Sequence, residues 1–257
     1  MLAVKNKHER DDNIKFFEEG HRYEIKGIDS SPISVTTLIH KLFPSFDPDT
    51  VIDKMMNGRN WKSSKYYGMT KDEIKKKWND DGEQASRLGT LMHADIERIL
   101  NNEDPENPGT IELRHFESFW QQFQKTIVGF YPYRTEWLVY DEDKCVAGSI
   151  DCVLKNSDGH LIILDWKRSK EIKLQNKYER GYGPLSSFDN CNYCHYSLQL
   201  NIYRHILETK YKQRVVGTYI VVLHPNNPYY EVHGINKIDI ASMWDEMIDF
   251  AHISSNH

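Results

Sequence analysis

The sequence predicts an α/β protein: a sheet with helices packed on it, preceded by a mainly helical N-terminal region. Two observations carry this. Past residue 110, a helical run rich in Phe and Trp leads into three consecutive strand-like segments, a second helix and a β-branched run. Before residue 83 the chain is polar, broken by Pro44 and Pro48, and helix-prone.

The elements follow in order. Residues 14–17 and 22–26 read as a strand pair turned by Gly20, and residues 34–42 as a helix ended by the prolines. Residues 49–79 interleave cations with aromatics: Lys54, Arg59, Trp61, Lys62, Lys65, Tyr66, Tyr67, Lys71, then Lys75, Lys76, Lys77 and Trp78. That run is either a solvated helical surface or a helical arch or lid that contacts phosphates and stacks on bases. A helix over 83–100 places His93 and Glu97 one turn apart on one face. After a loop with Pro105, Pro108 and Gly109 comes a helix over 111–127. Strands are expected over 134–140, 145–154 and 160–167, with turns at Asp141-Glu142-Asp143 and at residues 156–159. A helix over 193–209, strands over 215–223 and 229–233, and a helix over 238–251 close the chain. The division expected is a strand pair with a helical arch or lid in residues 1–82, and the core in 83–257.

Bulk properties narrow the class. No stretch approaches the roughly 18 apolar residues of a membrane span, and the N-terminus lacks the apolar core of a secretory signal. A soluble, intracellular protein is expected. Four cysteines in 257 residues do not make a disulfide framework. A net charge of -5 rules out a uniformly basic polyanion binder, but not a basic groove on an acidic protein.

The chemistry lies in Gly148-Ser149-Ile150-Asp151 and, a hairpin's length later, Ile162-Ile163-Leu164-Asp165-Trp166-Lys167. Residues two apart in a strand share a face, so Asp165 and Lys167 project together while Leu164 and Trp166 point away. Ile150, Cys152 and Leu154 share one face of the preceding strand and leave Asp151 on the other. A hairpin brings the two carboxylates together at the end of an apolar run, a costly arrangement unless a cation neutralises them. Oxygen ligands suit Mg²⁺ or Mn²⁺ better than Zn²⁺. Such an ion acidifies a bound water and shields a phosphate from hydroxide attack. Lys167 is placed to orient or deprotonate that water, or to stabilise developing charge. The chemistry implied is phosphodiester hydrolysis. An isolated D-x-K is otherwise an ordinary surface ion pair, and the upstream G-x-I-D is what gives this one weight.

This pattern resembles motifs II and III of the PD-(D/E)XK nucleases, in the branch shared by the RecB nuclease domain, lambda-type exonucleases and mitochondrial genome-maintenance exonucleases. Gly89-Thr90-Leu91-Met92-His93 resembles that branch's upstream helix motif, whose His is a metal ligand. Glu136 sits where the family often has a Glu. Tyr196-Ser197-Leu198-Gln199-Leu200-Asn201-Ile202-Tyr203 resembles its Q-x-x-x-Y motif, and Ser34-Val35-Thr36-Thr37 a segment near the start of its exonuclease domains. The resemblance covers roughly residues 34–225, and its specificity lies in order and spacing.

It implies a restriction-endonuclease-like core with a mixed β-sheet flanked by helices, and Asp151, Asp165, Lys167, Gln199 and Tyr203 as catalytic residues. His93, Asp151, Asp165 and the Trp166 backbone carbonyl would hold one or two Mg²⁺ or Mn²⁺ ions, the imidazole favouring Mn²⁺. Glu97 and Glu136 stand further out or are plain carboxylates. Arg168, Lys170, Lys173, Lys177, Arg180 and Tyr196 would contact nucleic acid, unless the basic stretch is a solvated loop.

Cys191 and Cys194 do not match the four-cysteine pattern of relatives with an iron–sulfur cluster, so none is expected. The implied activity is a metal-dependent deoxyribonuclease, an exonuclease on single strands or duplex ends in replication, repair or recombination. Three alternatives stay open: a catalytically silent nucleic-acid-binding module, a structure-selective endonuclease and an RNA-directed one.

Overall fold

The computed structural model describes residues 1–253. A short helix α1 (Leu2–Lys5) precedes an antiparallel hairpin of β1 (Ile14–Phe17) and β2 (Arg22–Ile25). Gly20 turns the hairpin at φ +76°, which an L side chain resists. Next come β3 (Ile33–Ser34) and α2 (Val35–Lys41), capped by Ser34 Oγ, which accepts from Thr37 N at 3.0 Å.

α3 (Pro48–Met56) opens with proline just inside its Asp47 cap. α4 (Lys71–Leu100) is one helix of 30 residues where the sequence predicts a polar helical zone and a separate helix from 83. No proline separates the two pieces, and Gly82 sits in open space, so nothing breaks the hydrogen-bond ladder there. α5 (Ile111–Thr126), β4 (Tyr131–Asp141), β5 (Val146–Lys155), β6 (His160–Lys167), α6 (Asn192–Thr209), β7 (Arg214–Val222), β8 (Glu231–Gly234) and α7 (Trp244–Ile253) complete the order.

The six-stranded sheet is mixed. Its path is β3-β5-β6-β7-β8, and β4 pairs with β5. β4–β5, β5–β6 and β7–β8 are antiparallel, while β3–β5 and β6–β7 are parallel. Both faces are covered. Leu161 and Ile163 of β6 join Leu198, Ile202 and Ile206 of α6 and Leu38 of α2 in one core. Ile162, Leu164 and Trp166 join Met92 and Ile96 of α4 and Phe116 and Phe119 of α5 in another. A two-sided strand needs this near-continuous apolar run, and β6 supplies it until Asp165.

One irregularity positions the site. β6 pairs with β5 only from Cys152↔Leu164 to Lys155↔Leu161. Beyond Leu164 it stays with β7, through Asp165↔Ile220 and Lys167↔Val222. β3 pairs with β5 at Val146 and Ala147. Residues 148–151 of β5 therefore lack a strand partner on that edge. The ladder splays, and charged side chains occupy the opening.

The chain forms two compact units: Met1–Pro44 together with the chain from Met92 onward, and Ser45–Leu91. The strand pair grouped by composition with residues up to 82 buries Ile14, Tyr23 and Ile25 in the core of the first unit. The second unit has a small core of its own: Ile52, Tyr66 and Ile74, with Met55, Trp61 and Trp78 packed against it. Among the described residues no helix is long and apolar enough to cross a membrane.

Candidate metal centre

Asp151 leaves β5 at the opening, and its Oδ2 accepts from Trp166 N at 2.8 Å. That side-chain bond takes the place of the strand-to-strand bond lost where the ladder splays. From α4, His93 Nε2 lies 2.9 Å from the Trp166 carbonyl oxygen. With that nitrogen donating, the other, Nδ1, faces Asp151 Oδ2 at 3.6 Å and Glu136 Oε1 at 3.9 Å. A backbone carbonyl that fixes the tautomer of a ligating imidazole is a common support in metal sites. Among the described residues, His93, Glu136 and Asp151 form the group whose potential ligand atoms all lie within 4.8 Å of one another.

Glu136 thus stands nearer the centre than a supporting role requires. It lies across the ladder from Asp151, between the pairs Thr135↔Cys152 and Trp137↔Ile150. Its φ of +43° is uncommon for a non-glycine residue and costs on the order of 1 kcal/mol or more. Ser149 Oγ donates to its Oε2 at 2.7 Å. Asp11 ties down the strand on either side, accepting from Arg134 Nη1 at 2.6 Å and from Trp137 Nε1 at 3.0 Å. The strand is pinned on each side of the unusual residue.

Asp165, by contrast, pairs with Lys167, whose Nζ is 2.7 Å from its Oδ2. That oxygen is buried and accepts no well-directed hydrogen bond. Lys167 Nζ also donates to Gln199 Oε1 at 3.3 Å and lies 4.7 Å from the centre of the Tyr196 ring. Gln199 Nε2 reaches Tyr203 Oη at 3.4 Å. Gln199 and Tyr203 are one turn apart on α6, which presents both to the sheet. Gly148 makes room for the tyrosine, since a Cβ there would stand 2.7 Å from Tyr203 Cε1.

The protein's own charges leave the cluster short of positive charge. Burial pushes the Asp151 carboxyl up to about 7, with Asp165 and Glu136 adding to the effect and His93 and Lys167 opposing it. Burial disfavours the His93 imidazolium, yet Asp151 and Glu136 outweigh it and raise the group to about 9. Lys167 loses solvation in the same way, but Asp165 and Asp151 hold its ammonium above the usual lysine range. Lys167 is a firm cation here.

The remaining predicted residues divide. Glu97 accepts from Thr135 Oγ1 at 3.3 Å, and burial and Glu136 raise its carboxyl. The Arg168 charge is already matched by Glu112, at 2.8 Å on α5, and Arg180 lies 3.6 Å from Asp189. Lys170, Lys173 and Lys177 are exposed and form no ion pair among the described residues, and Tyr178 beside them is 94% exposed. Tyr196 packs on the Lys167 ammonium. All four cysteines are free thiols, and burial pushes Cys194 up to about 12.

Sequence reasoning missed Ser149 and Glu112. Ser149 was legible in principle as the diagonal neighbour of Glu136 across an antiparallel pair. Glu112 lies 56 residues from its partner and carries no local signal.

No protein-family model matches the chain, and no curated protein matches it. Among solved structures, one named SSO0001 is 15% identical over 87% of this chain and 74% of its own, with a TM-score of 0.34. A protein from Eubacterium rectale, named as a candidate exonuclease, is 16% identical over 57% of this chain and 49% of its own, with a TM-score of 0.31. Likenesses this weak carry no argument about the present chain.

Proposed function

We propose that this chain is a metal-dependent nuclease of the PD-(D/E)XK type that hydrolyses phosphodiester bonds in DNA, acting at single-stranded or duplex ends. One observation carries the reading. Where β5 and β6 part, an imidazole, three carboxylates and an ammonium from α4, β4, β5 and β6 converge in one opening. A purely structural role gives no reason to gather so many charges there.

The residues fit a divalent cation. His93, Glu136 and Asp151 offer ligand atoms within 4.8 Å of one another, and the raised Asp151 and His93 groups take up protons in a site short of positive charge. Oxygen donors with one imidazole suit Mg²⁺ or, better, Mn²⁺. His93, Asp151 and Glu136 would hold the ion, with Asp165 beside them, while the Trp166 carbonyl, engaged by His93 Nε2 on the far side of the ring, orients the imidazole instead. When bound, such an ion acidifies a coordinated water and offsets charge on the phosphate. His93 is held by Trp166 so that Nδ1 faces the carboxylates. Lys167, kept protonated, donates to a phosphate oxygen or to the attacking water and stabilises developing negative charge. Gln199 and Tyr196 fix its ammonium. Lys170, Lys173 and Lys177 supply phosphate contacts next to the site.

The test is incubation with end-labelled single- and double-stranded DNA plus Mg²⁺ or Mn²⁺, with RNA and circular DNA alongside. Degradation from ends that EDTA abolishes and Lys167→Ala removes is the expected result. Undiminished cleavage by Lys167→Ala contradicts the assignment, and nicking of circles replaces the exonuclease reading with an endonuclease one.

A further inference from the structure

The unit Ser45–Leu91 holds cations in two states. Lys71 sits 2.9 Å from Asp53 and 3.1 Å from Asp49, and Lys75 sits 2.6 Å from Asp49. Lys76 and Lys77 pair with Asp80 at 2.7 Å and Asp81 at 3.5 Å. Between Asp53 and Asp72, however, the sequence contains no acidic residue. The other cations of that stretch, Lys54, Arg59, Lys62 and Lys65, are all exposed and form no ion pair among the described residues. Among the described residues of this nearly charge-balanced unit, four of the five cations without an ion pair therefore lie on one short segment, Arg87 being the fifth.

That segment runs from the last turn of α3 through a single 3-10 turn at Trp61–Ser63, and its turns are held by backbone bonds. Gly58 N bonds Met55 O, Trp61 N bonds Gly58 O, Ser64 N bonds Trp61 O and Tyr67 N bonds Ser64 O, each at 2.9 to 3.1 Å. Tyr66 faces inward, its hydroxyl accepting from Trp78 Nε1 at 2.9 Å. Tyr67 faces outward, 56% exposed, and meets the edge of Trp61. Lys65 Nζ stands 4.8 Å from the centre of the Tyr66 ring, and none of the four cations has a carboxylate partner among the described residues. A fixed chain of turns bearing such cations and an open aromatic ring has its ordering cost met before any partner arrives.

We propose that residues 54–67 form a contact surface for single-stranded DNA, with Lys54, Arg59, Lys62 and Lys65 on phosphates and Tyr67 stacked on a base. An exposed ring suits an unpaired base, because a duplex keeps its base faces stacked and out of reach. The proposal rests on the nuclease reading above and extends it to where the chain grips its substrate.

The test measures binding of a fluorescein-labelled oligothymidylate by anisotropy, across a series of salt concentrations, in the Lys167→Ala protein with EDTA present. Replacing all four cations by glutamine is expected to weaken binding at least tenfold. The log–log salt slope should also fall by about 2.8, at roughly 0.7 per neutralised phosphate. Tyr67→Ala is expected to weaken binding about tenfold with an unchanged slope. A control with Lys76→Gln and Lys77→Gln, which lowers net charge elsewhere in the unit, should stay within twofold. Unchanged affinity and slope in the four-fold variant overturn the surface while leaving the nuclease reading intact. An equal loss in the control, or an equal loss of duplex binding in the variants, also overturns it. Failure of the unsubstituted surface to bind any oligonucleotide counts against the nuclease reading itself.

Discussion

The two ends of the β5–β6 pair are built from the same strands yet follow opposite rules. At the paired end, Cys152 to Lys155 bonds across to Leu161 to Leu164, and every side chain there except that of Lys155 is apolar and buried. At the splayed end, Gly148, Asp151, Asp165 and Lys167 face an opening in which backbone bonds are replaced by the Asp151–Trp166 contact and by an ion pair. A continuous ladder would leave no room for a cation between the strands. The difference teaches that the site is made by ending a strand pairing early, not by adding a loop.

The comparison can be broken or sharpened in four ways. The largest effect is expected at the open end: Lys167→Ala should lower metal-dependent DNA cleavage at least about a hundredfold per folded molecule in a nuclease assay, and it should also lower the melting temperature because it strands the buried Asp165 carboxylate. At the paired end the balance reverses. Leu164→Ala removes a fully buried side chain and should cost about 2–5 kcal/mol in denaturant unfolding, with cleavage per folded molecule largely retained. Gly148→Ala lies between, because its Cβ must displace Tyr203. A loss of about 1–3 kcal/mol is expected, together with reduced cleavage as Gln199 and Lys167 lose their support.

The smallest effect concerns the anchor beside Glu136. Burial opposes the Asp11 carboxylate, but Arg134, His8 N and Trp137 hold it below the ordinary 3.8. A depressed folded value stabilises above the unfolded one, so this contribution is complete above about 3.8 and fades as pH falls further. Asp11→Asn should flatten the acid limb of a stability–pH curve below that point. Unchanged acid sensitivity would remove Asp11 as the anchor.

Much of the fold was legible because periodicity reports burial. The alternation in β6 separates Leu164 and Trp166 from Asp165 and Lys167, and the strand spans the expected residues 160–167. What was not legible depended on distant partners. β3 has only two residues and exists because Val146 and Ala147 of β5 offer Ile33 and Ser34 an edge. The last helix begins at Trp244 rather than near 238, because Asn201 Oδ1 captures Ile238 N at 2.9 Å and holds that stretch in turns. Within the site, strand alternation gave the pairing of Asp165 with Lys167 on one face. It could not give the point where β6 leaves β5, nor the left-handed backbone that brings Glu136 to His93.

The claim that a divalent ion sits where the strands part has a direct measurement: anomalous diffraction at the manganese edge from a crystal soaked in Mn²⁺. The account predicts a peak bounded by His93 Nδ1 and the carboxylates of Asp151 and Glu136. A peak elsewhere, or none at saturating Mn²⁺, contradicts it.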